Sequence, residues 1–152
     1  HPAPPPVSRA AMLAGGTETV QAFQGGNNIT TGAGNDTIRI SGSGNTVNGG
    51  AGANTVQDSG SGNTIVLAAK GTDNISGYVM QNGDKLDLSA ALATTKWNGT
   101  EGTLGNYLSL NTTNNNTTIT LHPSGTAAGS VIATLESTGT VTLAGLLQHA
   151  VT

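Results

Sequence analysis

Acidic and amide side chains recur at one place in this 152-residue chain, two residues ahead of a branched aliphatic: Glu18, Asn27, Asp36, Asn45, Asn54 and Asn63. Asp73 stands in the same relation to Ile75. The chemistry open to such a series is cation binding, because calcium takes six to eight oxygens and is drawn chiefly by carboxylates. Only Asp36, Glu18 and Asp73 bring a charge, so these three are weak calcium candidates. Asn27, Asn45, Asn54 and Asn63 bring neutral carbonyls, which suit amide ladders between stacked, in-register strands better than a metal. The residue types favour a roll that needs no cofactor; the alternative is one to two weakly bound calcium ions on the Asp36 side.

Other reactive groupings are sparse. His1, His122 and His149 lie far apart without metal-ligand spacing, and no nucleophile-elbow, zinc-protease or phosphate-loop motif occurs. Asp84 and Asp87 are a pair of carboxylates, but ahead of Ser89-Ala90-Ala91-Leu92 they suit capping of a helical turn. Five Lys and Arg residues with a net charge of −3 cannot build a phosphate-tracking stripe, which argues against nucleic acid. No apolar run reaches the length of a membrane span. Cysteine is absent, a weak sign by itself of an exported protein without disulfides. We read the chain as no enzyme, though an upstream parent protein could be one.

The elements that position the acidic and amide series follow from its rhythm. Val20, Ile29, Ile38, Val47, Val56 and Ile65 recur every nine residues, with Gly and Asn crowding the segments between them. Gly and Asn tolerate the positive φ of tight turns, while Thr, Val and Ile favour extended backbone. Each unit is therefore a turn followed by a short strand, and the repeat describes a chain winding through the same coil. Alternate units fall on opposite sides of such a coil. Glu18, Asp36 and Asn54 line one side; Asn27, Asn45 and Asn63 line the other. The rhythm slips by one residue before Ile75 and then gives way to two-residue alternation: Leu86/Leu88, Leu108/Leu110, Ile119/Leu121, Val131 to Leu135 and Val141/Leu143. That pattern predicts antiparallel strands with one buried face, with short helices at Ser89–Leu92 and within Leu143–Ala150.

Gly32-Ala33-Gly34-Asn35-Asp36-Thr37-Ile38 resembles the nonapeptide of RTX parallel β-rolls in exported bacterial proteins. Gly83-Asp84-Lys85-Leu86-Asp87-Leu88-Ser89-Ala90-Ala91-Leu92 resembles the segment that follows such repeats in type I secretion target domains. The resemblance implies an all-β fold: a β-solenoid of about three coils, two nonapeptides each, capped by an antiparallel C-terminal region with one or two short helices. It divides the chain into a Pro-rich linker (1–13), the roll (14–77) and a β-rich cap or secretion target region (78–152). It also implies a secreted, extracellular protein of bacterial origin whose partner is the ABC-transporter machinery of type I secretion.

Three functional readings follow. The first is a non-catalytic C-terminal module that supplies the export signal and folds outside the cell to cap its parent. The second is a carbohydrate- or cell-surface-binding module, by resemblance to the R-modules of alginate epimerases, with Trp97 and Tyr107 as aromatic platforms for polysaccharide. The third is an ice-binding solenoid using the outward columns Asn28/Thr30, Thr46/Asn48 and Thr64/Val66. Parallel edges and faces of the roll would also permit self-association.

Overall fold

The computed structural model describes residues 10–12, 16–77, 80–125 and 128–152. The repeat region forms β1 (Ala10–Met12), β2 (Thr19–Ala22), β3 (Asn28–Thr30), β4 (Thr37–Ile40), β5 (Thr46–Asn48), β6 (Ala53–Asp58), β7 (Thr64–Val66) and β8 (Thr72–Ser76). Odd-numbered strands stack parallel into one sheet and even-numbered strands into a second, so the chain alternates between two faces for about four turns. This is a parallel β-solenoid consistent with a β-roll. Its first strand, β1, falls inside the segment read as a linker and pairs with β3; His1 to Arg9 lie outside the described residues.

The aliphatic columns are the core. Val20, Ile38 and Val56 stack in register on the even face, followed by Ile75. Ile29, Val47 and Ile65 stack on the odd face. All but Val20, which belongs to the end coil, are buried. Each buried Val or Ile contributes about 1.5–3 kcal/mol relative to exposure. The turns are packed as tightly as the strands. Gly34 has φ +113°, and a Cβ there would fall 1.9 Å from the Gly16 carbonyl oxygen; Gly52 repeats the arrangement one coil on, 2.0 Å from the Gly34 oxygen. Only glycine lets successive turns approach this closely.

The C-terminal half continues the same two sheets. Its elements are β9 (Lys85–Asp87), α1 (Ser89–Leu92), a 3-10 helix (Glu101–Asn106), β10 (Leu108–Thr113), β11 (Asn116–Leu121), β12 (Ser130–Leu135), α2 (Leu143–Leu147) and β13 (Ala150–Val151). β9 pairs parallel with β7 and places Leu86 on Ile65. β12 pairs parallel with β8 and places Leu135 on Ile75. β13 then pairs parallel with β9. Strands β9 and β12 therefore trace a fifth coil whose connection is swollen by the helices and the β10–β11 hairpin, and β13 stacks on β9 as the next layer of the odd face. The expected antiparallel strands are present in β10–β11–β12, but Leu86, expected among them, lies in β9, which pairs parallel with both neighbours because it continues the coil. The short helix expected within Leu143–Ala150 is α2, whereas the Val141/Leu143 alternation forms no strand: Thr142 is an N-cap whose hydroxyl accepts the Gly145 N–H, so Leu143 opens the helix. Leu88, Leu92, Leu104, Leu108, Ile119, Leu121 and Leu146 close the end of the core.

Candidate functional site

The residues two ahead of each aliphatic point inward and form two columns, one at each edge of the roll, with the side assignments expected from the repeat. Along the first, the Glu18 N–H donates to Asp36 Oδ1 and the Asp36 N–H donates to Asn54 Oδ1, both at 3.0 Å. Asn54 Nδ2 then donates to Asp73 Oδ1 at 2.9 Å. Along the second, the Asn27 N–H donates to Asn45 Oδ1, Asn45 N–H to Asn63 Oδ1, and Asn63 N–H to Asp84 Oδ1, each at 2.8 Å. Side-chain oxygens thus satisfy the backbone of the preceding coil. Most rungs run from backbone to side chain, which differs from the amide-on-amide stack the residue types suggested. The geometry explains it: the turn leaves one N–H per unit without a strand partner, and a buried donor must be satisfied.

Glu18, Asp36 and Asp73 lie in one column, but Asn54 separates Asp73 from the other two. Glu18 and Asp36 act as a pair. Hydrogen bonding to Asp36 holds the Glu18 carboxyl above its ordinary range, with burial and the neighbouring charge adding to the effect. For Asp36 burial pushes upward, but the Thr31 hydroxyl and donation from the Glu18 backbone and side chain outweigh it, so the carboxyl sits below its ordinary range. Asp73 is pushed up to about 6 by burial, partly opposed by the Asn54 amide. Glu18 Oε2 and Asp36 Oδ2 are buried without a hydrogen-bond partner among the described residues. Two carboxylate oxygens are a thin donor set for calcium. Among the described residues no three His, Cys, Asp or Glu side chains gather as a metal cluster.

Asp84 and Asp87, three positions apart in sequence, do different work. Asp87 Oδ1 accepts the Ser89 N–H and hydroxyl just ahead of α1, but the N-cap is Leu88 and makes no side-chain cap bond, so neither aspartate caps the helix in the expected sense. Asp84 is fully buried at the foot of the second column. It faces Asp58, a residue the sequence reading passed over. A signal was there: Asp58 occupies the inward position held by Ala22 and Ile40 in the preceding coils. A carboxylate in an aliphatic column is a buried charge that needs a partner.

The aromatic candidates are built into the cap. Trp97 and Tyr107 are half-buried against the core, and Trp97 Nε1 donates to the Thr100 carbonyl at 3.0 Å. Phe23, by contrast, is 72% exposed. It borders a shallow groove of about 400 Å³ on the outer even face, with Gln21, Arg39, Gln57 and Ser76 standing in register across it and Ser41 and Ser59 on its flank. Arg39 Nε donates to Gln57 Oε1 at 3.0 Å, which fixes the guanidinium across the strands. On the odd face the outward Thr/Asn columns are in register, but Lys85 and Asp87 follow them on β9.

The fold and site together define the class: a parallel β-solenoid whose turns are tied by inward amide and carboxylate side chains. Comparison with family models, with curated proteins and with solved structures returns no match. Among the described residues no helix is long and apolar enough to cross a membrane.

Proposed function

We propose that this chain is a non-catalytic module of an exported bacterial protein, of the RTX type, that carries a type I secretion signal and folds outside the cell to close its parent's end. The observation that supports this reading is the continuity of the two sheets. β9, β12 and β13 extend the roll in register, so the segment resembling a secretion target domain is also the segment that terminates the solenoid. A signal of this kind must stay unfolded during export, and these strands gain their partners only once the preceding coils exist. The test is export of a reporter fused upstream, in cells with type I machinery. Deleting residues 83–152 should abolish its appearance in the medium; unchanged export would sink the reading. We further propose that the inward amide columns, not calcium, hold the roll, so EDTA should leave its far-UV circular dichroism unchanged. Collapse to coil on chelation would restore calcium as the organising ligand.

A second reading, binding of an extracellular polysaccharide, is favoured by the Phe23–Arg39 groove and no longer by Trp97 or Tyr107. An exposed ring offers a face to sugar C–H groups, and a guanidinium with amides and hydroxyls suits sugar hydroxyls and carboxylates. Calorimetric titration with acidic and neutral oligosaccharides tests it. Saturable heat that is lost in Phe23→Ala and Arg39→Ala supports the groove; heat unaltered by both variants refutes it.

A further inference from the structure

Asp58 ends β6 and is 1% exposed; Asp84 leads into β9 and is 0% exposed. Asn63 touches both carboxyls: its Nδ2 donates to Asp58 Oδ1 at 3.0 Å and its N–H donates to Asp84 Oδ1 at 2.8 Å. The Gly60 N–H supplies a further bond to Asp58 Oδ1 at 3.0 Å. Each Oδ1 is therefore satisfied, and each Oδ2 is buried with no partner among the described residues. Two buried carboxylates facing one another cannot both ionise without large cost. One proton between the two Oδ2 atoms would satisfy both.

We propose that Asp58 and Asp84 share a single proton and so form a latch that fastens the start of the fifth coil to the third, opening when the proton is lost. Among the described residues, the groups around the pair supply no positive counter-charge. Asn63 and Gly60 face Asp58 from the following turn, and Gly42 in the coil above is engaged through its carbonyl by Asn63 Nδ2. Asp84 is the titratable group that acts on Asp58. Arg39 lines the outer groove near Asp58 but is turned to Gln57, and Lys85 beside Asp84 is exposed. Burial first, then the hydrogen bond to and the charge of Asp84, push Asp58 from 3.8 up to about 7. The folded-state value is raised, so the latch's stabilisation is complete below the unfolded value and is lost as pH rises through about 7. Because Asp84 opens the segment that forms β9, losing the proton should loosen the C-terminal strands first.

Carboxyl carbon-13 NMR of the intact chain, with thermal unfolding from pH 5 to 9, tests the latch independently of export or calcium dependence. The Asp58–Asp84 pair should titrate near neutrality in addition to Asp73, the midpoint should fall as pH rises from 5 to about 7, and β9 and β13 amides should lose protection over the same range. Asp58→Asn and Asp84→Asn place an amide donor where the proton sits and should lessen that fall, leaving the part due to Asp73. Asp58 titrating below pH 5, or variants whose profiles parallel the wild type, would overturn the proposal. So would millimolar calcium at pH 9 restoring the wild-type midpoint without affecting Asp58→Asn, since the pair would then be a cation site.

Discussion

Asn63 shows how much one side chain carries in this fold. It accepts the Asn45 N–H, donates to the Gly42 carbonyl and to Asp58, and passes its own N–H to Asp84. Asn63→Ala would strand several buried polar groups, each costing about 1–3 kcal/mol. We expect a loss of about 3–5 kcal/mol by chemical denaturation, without change in the denaturant slope. Asp73 behaves in the opposite sense. Its carboxyl is held up at about 6 by burial, so the folded state resists its ionisation. Its stabilisation is complete below the ordinary value of 3.8 and is lost as pH rises through 6. Asp73→Asn keeps the bond from the Asn54 amide through its own Oδ1 and should raise the unfolding midpoint at pH 8 but not at pH 4. The position of Asn63 was legible from the spacing of nine, and that of Asp73 from its place two ahead of Ile75 after the one-residue slip. What each one bonds to was not, because the unpaired backbone N–H it satisfies exists only once the turn is formed.

At the scale of the element, the turns are the least forgiving parts. Gly52 combines φ +100° with a Cβ path blocked by the Gly34 carbonyl. Gly52→Ala should cost at least about 2 kcal/mol, from strain at positive φ and separation of two coils. A circular-dichroism melt of that variant should fall well below the wild type; equal melting would mean the stack can open without penalty. The end of the roll depends on β13. The Leu86 N–H donates to the His149 carbonyl and the Leu88 N–H to the Val151 carbonyl, both at 2.8 Å. Removing residues 143–152 strips α2 and β13 and bares β9 as an edge. We expect a lower midpoint and concentration-dependent association, read by analytical ultracentrifugation. Local pattern foretold α1 and the β10–β11–β12 strands. It also foretold the helix that α2 forms but misjudged the Val141/Leu143 alternation at its start, because a two-residue apolar spacing does not distinguish a strand from an N-cap followed by a helix.

Across the whole molecule, stability is distributed along the axis of the roll. Interior coils have neighbours on both sides, whereas β2 ends the even sheet and its Val20 is only half-buried. Opening one coil at the edge forfeits one interface, and opening a central coil forfeits two. Hydrogen exchange should therefore be fastest in β2 and slowest in β6 and β8, which pair on both edges. Uniform protection from β2 to β8 would mean that the roll opens only as a single unit.

The repeat alone determined the solenoid, the inward aliphatic file and the two-sided partition of Glu18, Asp36 and Asn54 from Asn27, Asn45 and Asn63. A fixed interval forces each residue to sit over its counterpart 18 positions away, so the local pattern already contains the contact. Tertiary structure alone decided that the second half is a fifth coil, since Leu135 on Ile75 and Ala150 on Leu86 join residues with no shared period. It also decided that Asp58 meets Asp84, because that contact crosses a corner of the coil and depends on how the chain returns after its inserted turn.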